Sequence, residues 1–99
     1  MTEDKKIRDP LARHLLIHGK VQGVYYRASA EKEAMRLSLS GWVRNRFSGE
    51  VEAVVCGPEA DVDAFIDWAR EGPPAAEVTR IEISSAEPPD EGFRVLPTA

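Results

Sequence analysis

The stretch GKVQGVYYR, residues 19–27, lies between an apolar run and a segment with helical spacing. Its two glycines allow the backbone to approach a ligand closely and to take φ values that other residues avoid. Successive N–H groups of such a bend, together with the first turn of a following helix, form a site for an anion. Arg27 adds a rigid fork of donors that fits phosphate or carboxylate in two places at once. The stretch therefore predicts an anion-binding active-site loop between a strand and a helix.

The segments on either side of this loop predict a strand and a helix. Residues 12–18 alternate, with Leu15 and Ile17 on one strand face and mainly polar side chains on the other. Residues 28–39 have apolar side chains at helical spacing and charged side chains on the opposite face. Small side chains on the inner face predict a helix that lies close against a sheet. The inner positions are Ala30, Ala34 and Leu37.

A hairpin and a second helix follow the first helix. Residues 42–47 and 51–56 are two apolar runs around a glycine-containing turn, a pattern typical of a β-hairpin. Pro58 then begins a helix at a position where proline is favoured, and Gly72 ends it. This helix has a core-facing stripe at helical spacing, made of Val62, Phe65, Ile66 and Ala69.

The order of these elements predicts a ferredoxin-like α+β sandwich. Residues 78–84 predict a fourth strand with regular alternation of its two faces, and residues 93–96 predict a short extra C-terminal strand. The βαββαβ order gives a mainly antiparallel sheet with both helices on one face and water on the other. The first and second strands then run in the same direction with the third between them. We therefore expect the loop with Arg27 and the second strand with Asn45 to meet at one edge of the sheet.

Length, charge and composition define one small domain. We expect a loose tail over residues 1–10 and a folded domain over residues 11–99. The formal net charge of −4 argues against a general nucleic-acid binder or a membrane-surface protein, both of which need a basic field. A single cysteine excludes an intrachain disulfide, and no apolar run approaches the ~20 residues that span a bilayer. These features predict a cytoplasmic protein, and nothing in the sequence requires more than a monomer.

Other phosphate and metal chemistries fit the sequence less well. No Gly-Lys-Ser/Thr motif follows the loop, which excludes a nucleotide P-loop. His14 and His18 share a strand face but lie about 13 Å apart, too far to bind one metal ion. Cys56 lacks the arginine six residues later that a cysteine phosphatase requires. Asp61 and Asp63 lie within a helix, where we interpret them as charge near its N-terminus.

Two motifs resemble the signatures of the acylphosphatase family. GxVQGVxxR over residues 19–27 resembles the first, and GWVRNxxxGxV over residues 41–51 resembles the second. The two motifs occur in the family's order on the expected elements, and the resemblance extends over residues 12–96. The chain departs from the family pattern at Tyr25 and Tyr26, where phenylalanines are usual, so a hydroxyl group is added beside the loop.

The resemblance implies an activity and a role for each site residue. It implies hydrolysis of small-molecule acylphosphates to a carboxylate and inorganic phosphate, with no metal or cofactor. It also implies that Arg27 and the backbone N–H groups of the loop bind the phosphate, and that Asn45 positions the attacking water. The loop residues in this assignment are Val21, Gln22, Gly23, Val24, Tyr25 and Tyr26.

The residues themselves leave other interpretations open. Arg27 also fits a surface arginine in the first turn of a helix, and Asn45 fits a polar residue on an edge strand. At the level of function, the alternative is a non-catalytic ferredoxin-like binding module, including one within a larger carbamoyl-transferring enzyme. The sequence lacks the paired aromatic platform of RNA-binding sheets and the Cys-x-x-Cys pair of metal-delivery domains, which disfavours those two types of module.

Overall fold

The computed structural model describes residues 10–99, so the predicted tail lies outside the described residues except for Pro10. The order of elements is that predicted from the sequence, with a short final strand. The elements are β1 (Leu11–Lys20), α1 (Tyr26–Arg36), β2 (Ser40–Asn45), β3 (Val51–Gly57), α2 (Glu59–Ala69), β4 (Glu77–Ser85) and β5 (Phe93–Val95). No helix within residues 10–99 is long and apolar enough to cross a membrane.

The five strands form one mixed sheet in the order β4-β1-β3-β2-β5. All neighbours are antiparallel except β2 and β5, which run parallel. Along the β1-β3-β2 part of the sheet, Ile17 pairs with Val51 and Val51 pairs with Asn45. The predicted ferredoxin-like arrangement is confirmed, and it brings the end of β2 to the same edge of the sheet as the loop that follows β1.

Both helices pack on one face of this sheet and form a single core with it. The alternation predicted for β1 is confirmed, because Leu15 and Ile17 are fully buried. The inner alanines of α1 are also fully buried, which allows this helix to lie close to the strands. The predicted stripe of α2 is confirmed as well. Its buried members are Val62, Phe65, Ile66 and Ala69.

Helix α1 begins two residues earlier and ends three residues earlier than the periodicity predicts. The early end has a local cause: Ser38 has a left-handed φ of 57°. The N–H of Ser38 donates to the Met35 carbonyl at 3.0 Å, and the N–H of Leu39 donates to the Ala34 carbonyl at 2.9 Å. These two bonds form a Schellman motif, which satisfies the last helical carbonyls and turns the chain into β2.

The alternation predicted for β4 is wrong because the strand contains a β-bulge. The register shifts opposite His18 and Gly19, so that Arg80 pairs with His18 and Val78 pairs with Gly19. The extra residue places Val78 and Ile81 against the core together. Gly19 is required at this point, because a Cβ there would collide with the carbonyl of Glu77 in the bulged strand.

The helix-free face of the sheet is closed at its centre rather than open to water as expected. Glu52, on the central strand β3, is only 9% exposed. Its carboxylate lies 2.6 Å from His14 Nε2, and it accepts hydrogen bonds from Arg44 Nε at 2.8 Å and Arg46 Nη1 at 3.2 Å. Burial tends to raise the pKa of this carboxyl, but the hydrogen bonds from His14 and Arg44 outweigh it and hold the pKa below its ordinary value.

Candidate active site

The loop between β1 and α1 is anchored by valines and bent by residues with positive φ. Val21 and Val24 are buried in the core, at 1% and 5% exposure. Gly23 has a φ of 75° and Tyr25 a φ of 65°, both in the left-handed region. Backbone bends of this kind direct successive N–H groups towards one concave surface, where an anion binds. The two buried valines therefore hold the loop against the core, and the loop backbone remains on the side of the site.

The N-terminus of α1 carries no charge that opposes an anion. Its N-cap residue, Tyr25, makes no side-chain capping bond, and its first turn contains no acidic residue. The first N–H groups of a helix have no acceptor within the helix, and they lie at the positive end of its dipole. Arg27 lies in this first turn, so its guanidinium adds to the same positive field.

The two tyrosines of the loop have opposite surroundings. Tyr26 is 2% exposed, its hydroxyl donates to the Ala69 carbonyl at 2.7 Å, and its ring packs on Trp68. Burial raises the pKa of the Tyr26 hydroxyl above its ordinary value. Tyr25 is 83% exposed at the rim of the site. The Tyr26 hydroxyl therefore ties α1 to α2 in the core, whereas only the Tyr25 hydroxyl has access to solvent near the site.

Arg27 is half-buried and lines the site without a carboxylate partner among the described residues. The ion pairs formed within residues 10–99 all involve other cationic side chains. Glu31, one helical turn after Arg27, also lines the site but forms no ion pair with it. Within residues 10–99, the Arg27 guanidinium therefore stays without an ion pair beside the pocket.

Asn45, the last residue of β2, carries a buried acceptor with no partner among residues 10–99. Its side-chain oxygen Oδ1 is inaccessible to solvent and accepts no hydrogen bond from these residues. An unsatisfied buried acceptor costs about 1–3 kcal/mol. Asn45 as a whole is only partly buried and lines the pocket, so its side-chain amide borders the space that a ligand or a water molecule would occupy.

Gln22 connects the loop to the turn between β2 and β3. Its side-chain Nε2 donates to the Arg46 carbonyl at 2.8 Å and to the Glu50 carbonyl at 2.9 Å. The sequence predicts only the backbone of this residue in the site and gives no role to its side chain. No sequence signal identifies these two acceptors, because they are main-chain groups of a distant turn.

One open pocket of about 520 Å³ unites most of the predicted site residues. Its lining includes Arg27 and Asn45, together with Val21, Gln22, Gly23, Tyr25 and Tyr26 of the loop. Val24, which the resemblance places in the phosphate-binding loop, does not line the pocket, because its side chain is buried in the core. The pocket additionally contains Ala28, Glu31 and Val95. Glu31 follows Arg27 at helical spacing, so its place beside the site could be predicted from the sequence. Val95 reaches the pocket only through the parallel pairing of β5 with β2.

The two histidines of β1, His14 and His18, have separate carboxylate partners. His14 contacts Glu52, and His18 Nε2 lies 2.6 Å from Glu82 Oε2. Both pairs lie on the helix-free face of the sheet. Within the part of the chain that the structure describes, no three His, Cys, Asp or Glu side chains are grouped as a metal site would require.

Comparisons with known proteins identify the family. The acylphosphatase family model matches residues 13–95. The chain is 62% identical to an acylphosphatase of Azoarcus sp. (strain BH72) over 88 residues, which cover 88% of this chain and 90% of the relative. It superposes on an acylphosphatase from Coxiella burnetii with a TM-score of 0.86 and 37% identity, covering 95% of this chain and 100% of that one.

A larger protein contains a domain of the same fold. T. kodakarensis HypF aligns with a TM-score of 0.73 and 34% identity, over 89% of this chain but only 12% of HypF. The small relatives match over nearly their whole length. The family model, the sequence identity and the shared fold together show that the chain belongs to the acylphosphatase family.

Proposed function

We propose that this acylphosphatase divides its reaction between two elements, the β1–α1 loop with Arg27 and the end of β2 with Asn45. The enzyme hydrolyses the carboxyl–phosphate bond of acylphosphates to a carboxylate and inorganic phosphate. The loop amides and Arg27 bind the phosphate, and Asn45 orients the attacking water. One observation carries this assignment: the same pocket is lined by Arg27, which has no carboxylate partner among residues 10–99, and by Asn45, whose buried amide oxygen has no donor among those residues.

The phosphate half of the site supplies positive charge that is fixed before the substrate arrives. Phosphoryl transfer passes through a loose transition state in which negative charge is spread over the three equatorial oxygens. Arg27 offers a planar fork to two of these oxygens, and the uncapped end of α1 offers N–H groups to the remaining charge. No acidic side chain in the first turn weakens this field.

The water half of the site supplies position rather than basicity. The Asn45 side-chain amide hydrogen-bonds the water and directs one of its oxygen lone pairs towards phosphorus. The water oxygen bonds to phosphorus while the bond to the acyl oxygen breaks, and the carboxylate leaves with the electron pair. A phosphate oxygen takes the water proton. An amide is sufficient for this step, because a carboxylate is already a good leaving group.

The experiment that tests the proposal follows the oxygen of the attacking water. Benzoyl phosphate is hydrolysed by the wild-type protein in ¹⁸O-labelled water with EDTA present, and both products are analysed by mass spectrometry. We expect the label in inorganic phosphate and none in benzoate, because Asn45 places the water beside phosphorus. Label in benzoate means attack at the acyl carbon and overturns the arrangement. Phosphate release no faster than the uncatalysed background supports the non-catalytic binding module, which the family membership does not favour.

We also propose that the enzyme acts as a cytoplasmic monomer. Arg27 and Asn45, which carry the proposed reaction, lie together in one pocket, so the proposed mechanism calls on no residue of a second copy. Cys56 is a free buried thiol, which suits a reducing compartment. Sedimentation equilibrium at the enzyme's working concentration should give the mass of one chain, and cell fractionation should recover the activity with the cytoplasm. A dimer mass would contradict the proposed monomer, and activity outside the cytoplasm would contradict the proposed location.

A further inference from the structure

We propose that the Gln22 side chain is a positioning residue that sets the separation between the phosphate-binding loop and Asn45. The proposal rests on the roles assigned above to the loop and to Asn45. The notable feature is that Gln22 belongs to the loop by its backbone but to the β2–β3 turn by its side chain, where it donates to two main-chain carbonyls.

The two Gln22 hydrogen bonds add to a turn that is already closed without them. The Arg46 N–H donates to the Glu50 carbonyl at 2.8 Å, and the Gly49 N–H donates to the Arg46 carbonyl at 3.0 Å. Each carbonyl has two lone pairs, and Gln22 Nε2 uses the second of each. Both N–H groups of the Gln22 amide are thereby used. The side chain therefore attaches the loop to the turn, whereas the turn's own bonds maintain its shape.

The attachment lies next to both halves of the site. On the loop side, Gln22 immediately precedes Gly23, where the backbone takes the positive φ of the bend. On the strand side, the Arg46 carbonyl belongs to the residue directly after Asn45. The chain between Gln22 and Asn45 runs through α1 and back along β2, so no short covalent path fixes their distance. The side-chain amide supplies a direct connection at this point.

The separation matters because the attacking water must lie close to phosphorus and in line with the bond that breaks. Productive geometry requires reacting atoms about 3–3.5 Å apart, and a misplacement of about 1 Å costs roughly a hundredfold in rate. A loop that moves relative to β2 still binds phosphate through its own amides and Arg27. It loses the alignment with the water on Asn45, so we expect turnover to suffer more than phosphate affinity.

The experiment compares Gln22→Met, which keeps the side-chain length but has no N–H group, with Ser48→Ala as a control in the same turn. The only side-chain hydrogen bond of Ser48 within residues 10–99 goes to the Glu50 carboxylate. For Gln22→Met we expect kcat to fall about tenfold to a hundredfold, while the inhibition constant of inorganic phosphate changes less than about threefold. Ser48→Ala should match the wild type in both. An unchanged kcat, or equal losses in kcat and phosphate affinity, overturns the proposal.

A double-mutant cycle with Asn45→Ala separates positioning from a general structural role. If Gln22 acts through Asn45, Gln22→Met should lower kcat much less in the Asn45→Ala background than in the wild type. The same loss in both backgrounds means that Gln22 acts elsewhere and overturns the proposal. Gln22→Asn, which keeps the amide but is one methylene shorter, carries the same expectations if Gln22→Met does not fold. Unchanged turnover in Asn45→Ala alone would contradict the assigned water site itself, so that failure is recognised separately.

Discussion

The two helices begin in opposite ways, although both contain 11 residues and pack on the same face of the sheet. Helix α2 has Glu59 and Asp61 in its first turn, where carboxylates stabilise the positive end of a helix by about 0.3–1 kcal/mol each. Helix α1 has no acidic residue there and begins from a left-handed N-cap, and its only charged first-turn residue is Arg27. Helix α2 is thus arranged for stability, whereas α1 leaves its positive end without a carboxylate in the first turn.

The largest expected effect comes from removing the charge at the start of α1. Arg27→Ala should lower kcat/KM for benzoyl phosphate by roughly a hundred- to a thousandfold, about 2.7–4 kcal/mol, because it removes a preorganised charge-stabilising donor. Steady-state phosphate release measures this. The matched control is Arg70→Ala, because Arg70 is exposed at the end of α2 and should be dispensable. Similar losses in both variants would show that the two arginines do not differ.

A smaller loss of activity is expected when residue 27 keeps its positive charge but loses the planar guanidinium fork. Arg27→Lys places one ammonium where a planar guanidinium matched two oxygens, so kcat/KM should still fall by at least about tenfold. The inhibition constant of inorganic phosphate should rise in parallel. Near-normal turnover in this variant would rule out two-point binding by Arg27 and reduce its role to that of a positive charge.

An acidic residue in the first turn of α1, of the kind that α2 has, should lower activity and raise stability. Ala28→Glu puts a carboxylate at the positive end of α1 inside the pocket, where it repels the phosphate. Relative to Ala28→Gln, which has the same shape without charge, we expect about tenfold weaker phosphate inhibition and a gain of about 0.3–1 kcal/mol in unfolding free energy. Urea denaturation and inhibition assays on the same pair measure both. Equal phosphate inhibition of the two variants would remove the electrostatic reason for the missing acidic residue.

The reverse change in α2 should affect stability alone, and only slightly. Glu59→Gln removes one of the two first-turn carboxylates and should lower the free energy of unfolding by about 0.3–1 kcal/mol. Neither kcat nor KM should move, because Glu59 does not line the pocket. Added salt should shrink the difference between this variant and the wild type, since screening weakens the interaction with the helix dipole.

The secondary-structure elements and the site residues could be predicted from the sequence because their signals are local. The hairpin turn, the α2 stripe and the spacing of glycines before Arg27 are each visible within a dozen residues. The order of elements then limits the topology, which places Asn45 beside the loop. The pocket unites those two residues as expected, although their catalytic roles stay a prediction.

The features that the sequence did not reveal arise from pairing between distant segments. The bulge in β4 exists only against β1, where the register shifts at Gly19. The burial of Glu52 depends on side chains from two neighbouring strands, and the Gln22 bonds depend on carbonyls of a turn. The end of α1 was missed for a different reason: Ser38 takes a left-handed conformation usually left to glycine.

The position of β1, the strand that precedes the phosphate loop, also affects when the site forms during folding. β1 lies between β3 and β4, and β4 follows both helices in the chain, so the strand that supports the loop lacks one neighbour until β4 has been made and has paired with it. Pairings over such sequence distances form late and slowly. The return of phosphate release after dilution from denaturant should therefore mark the completion of the fold rather than its first steps.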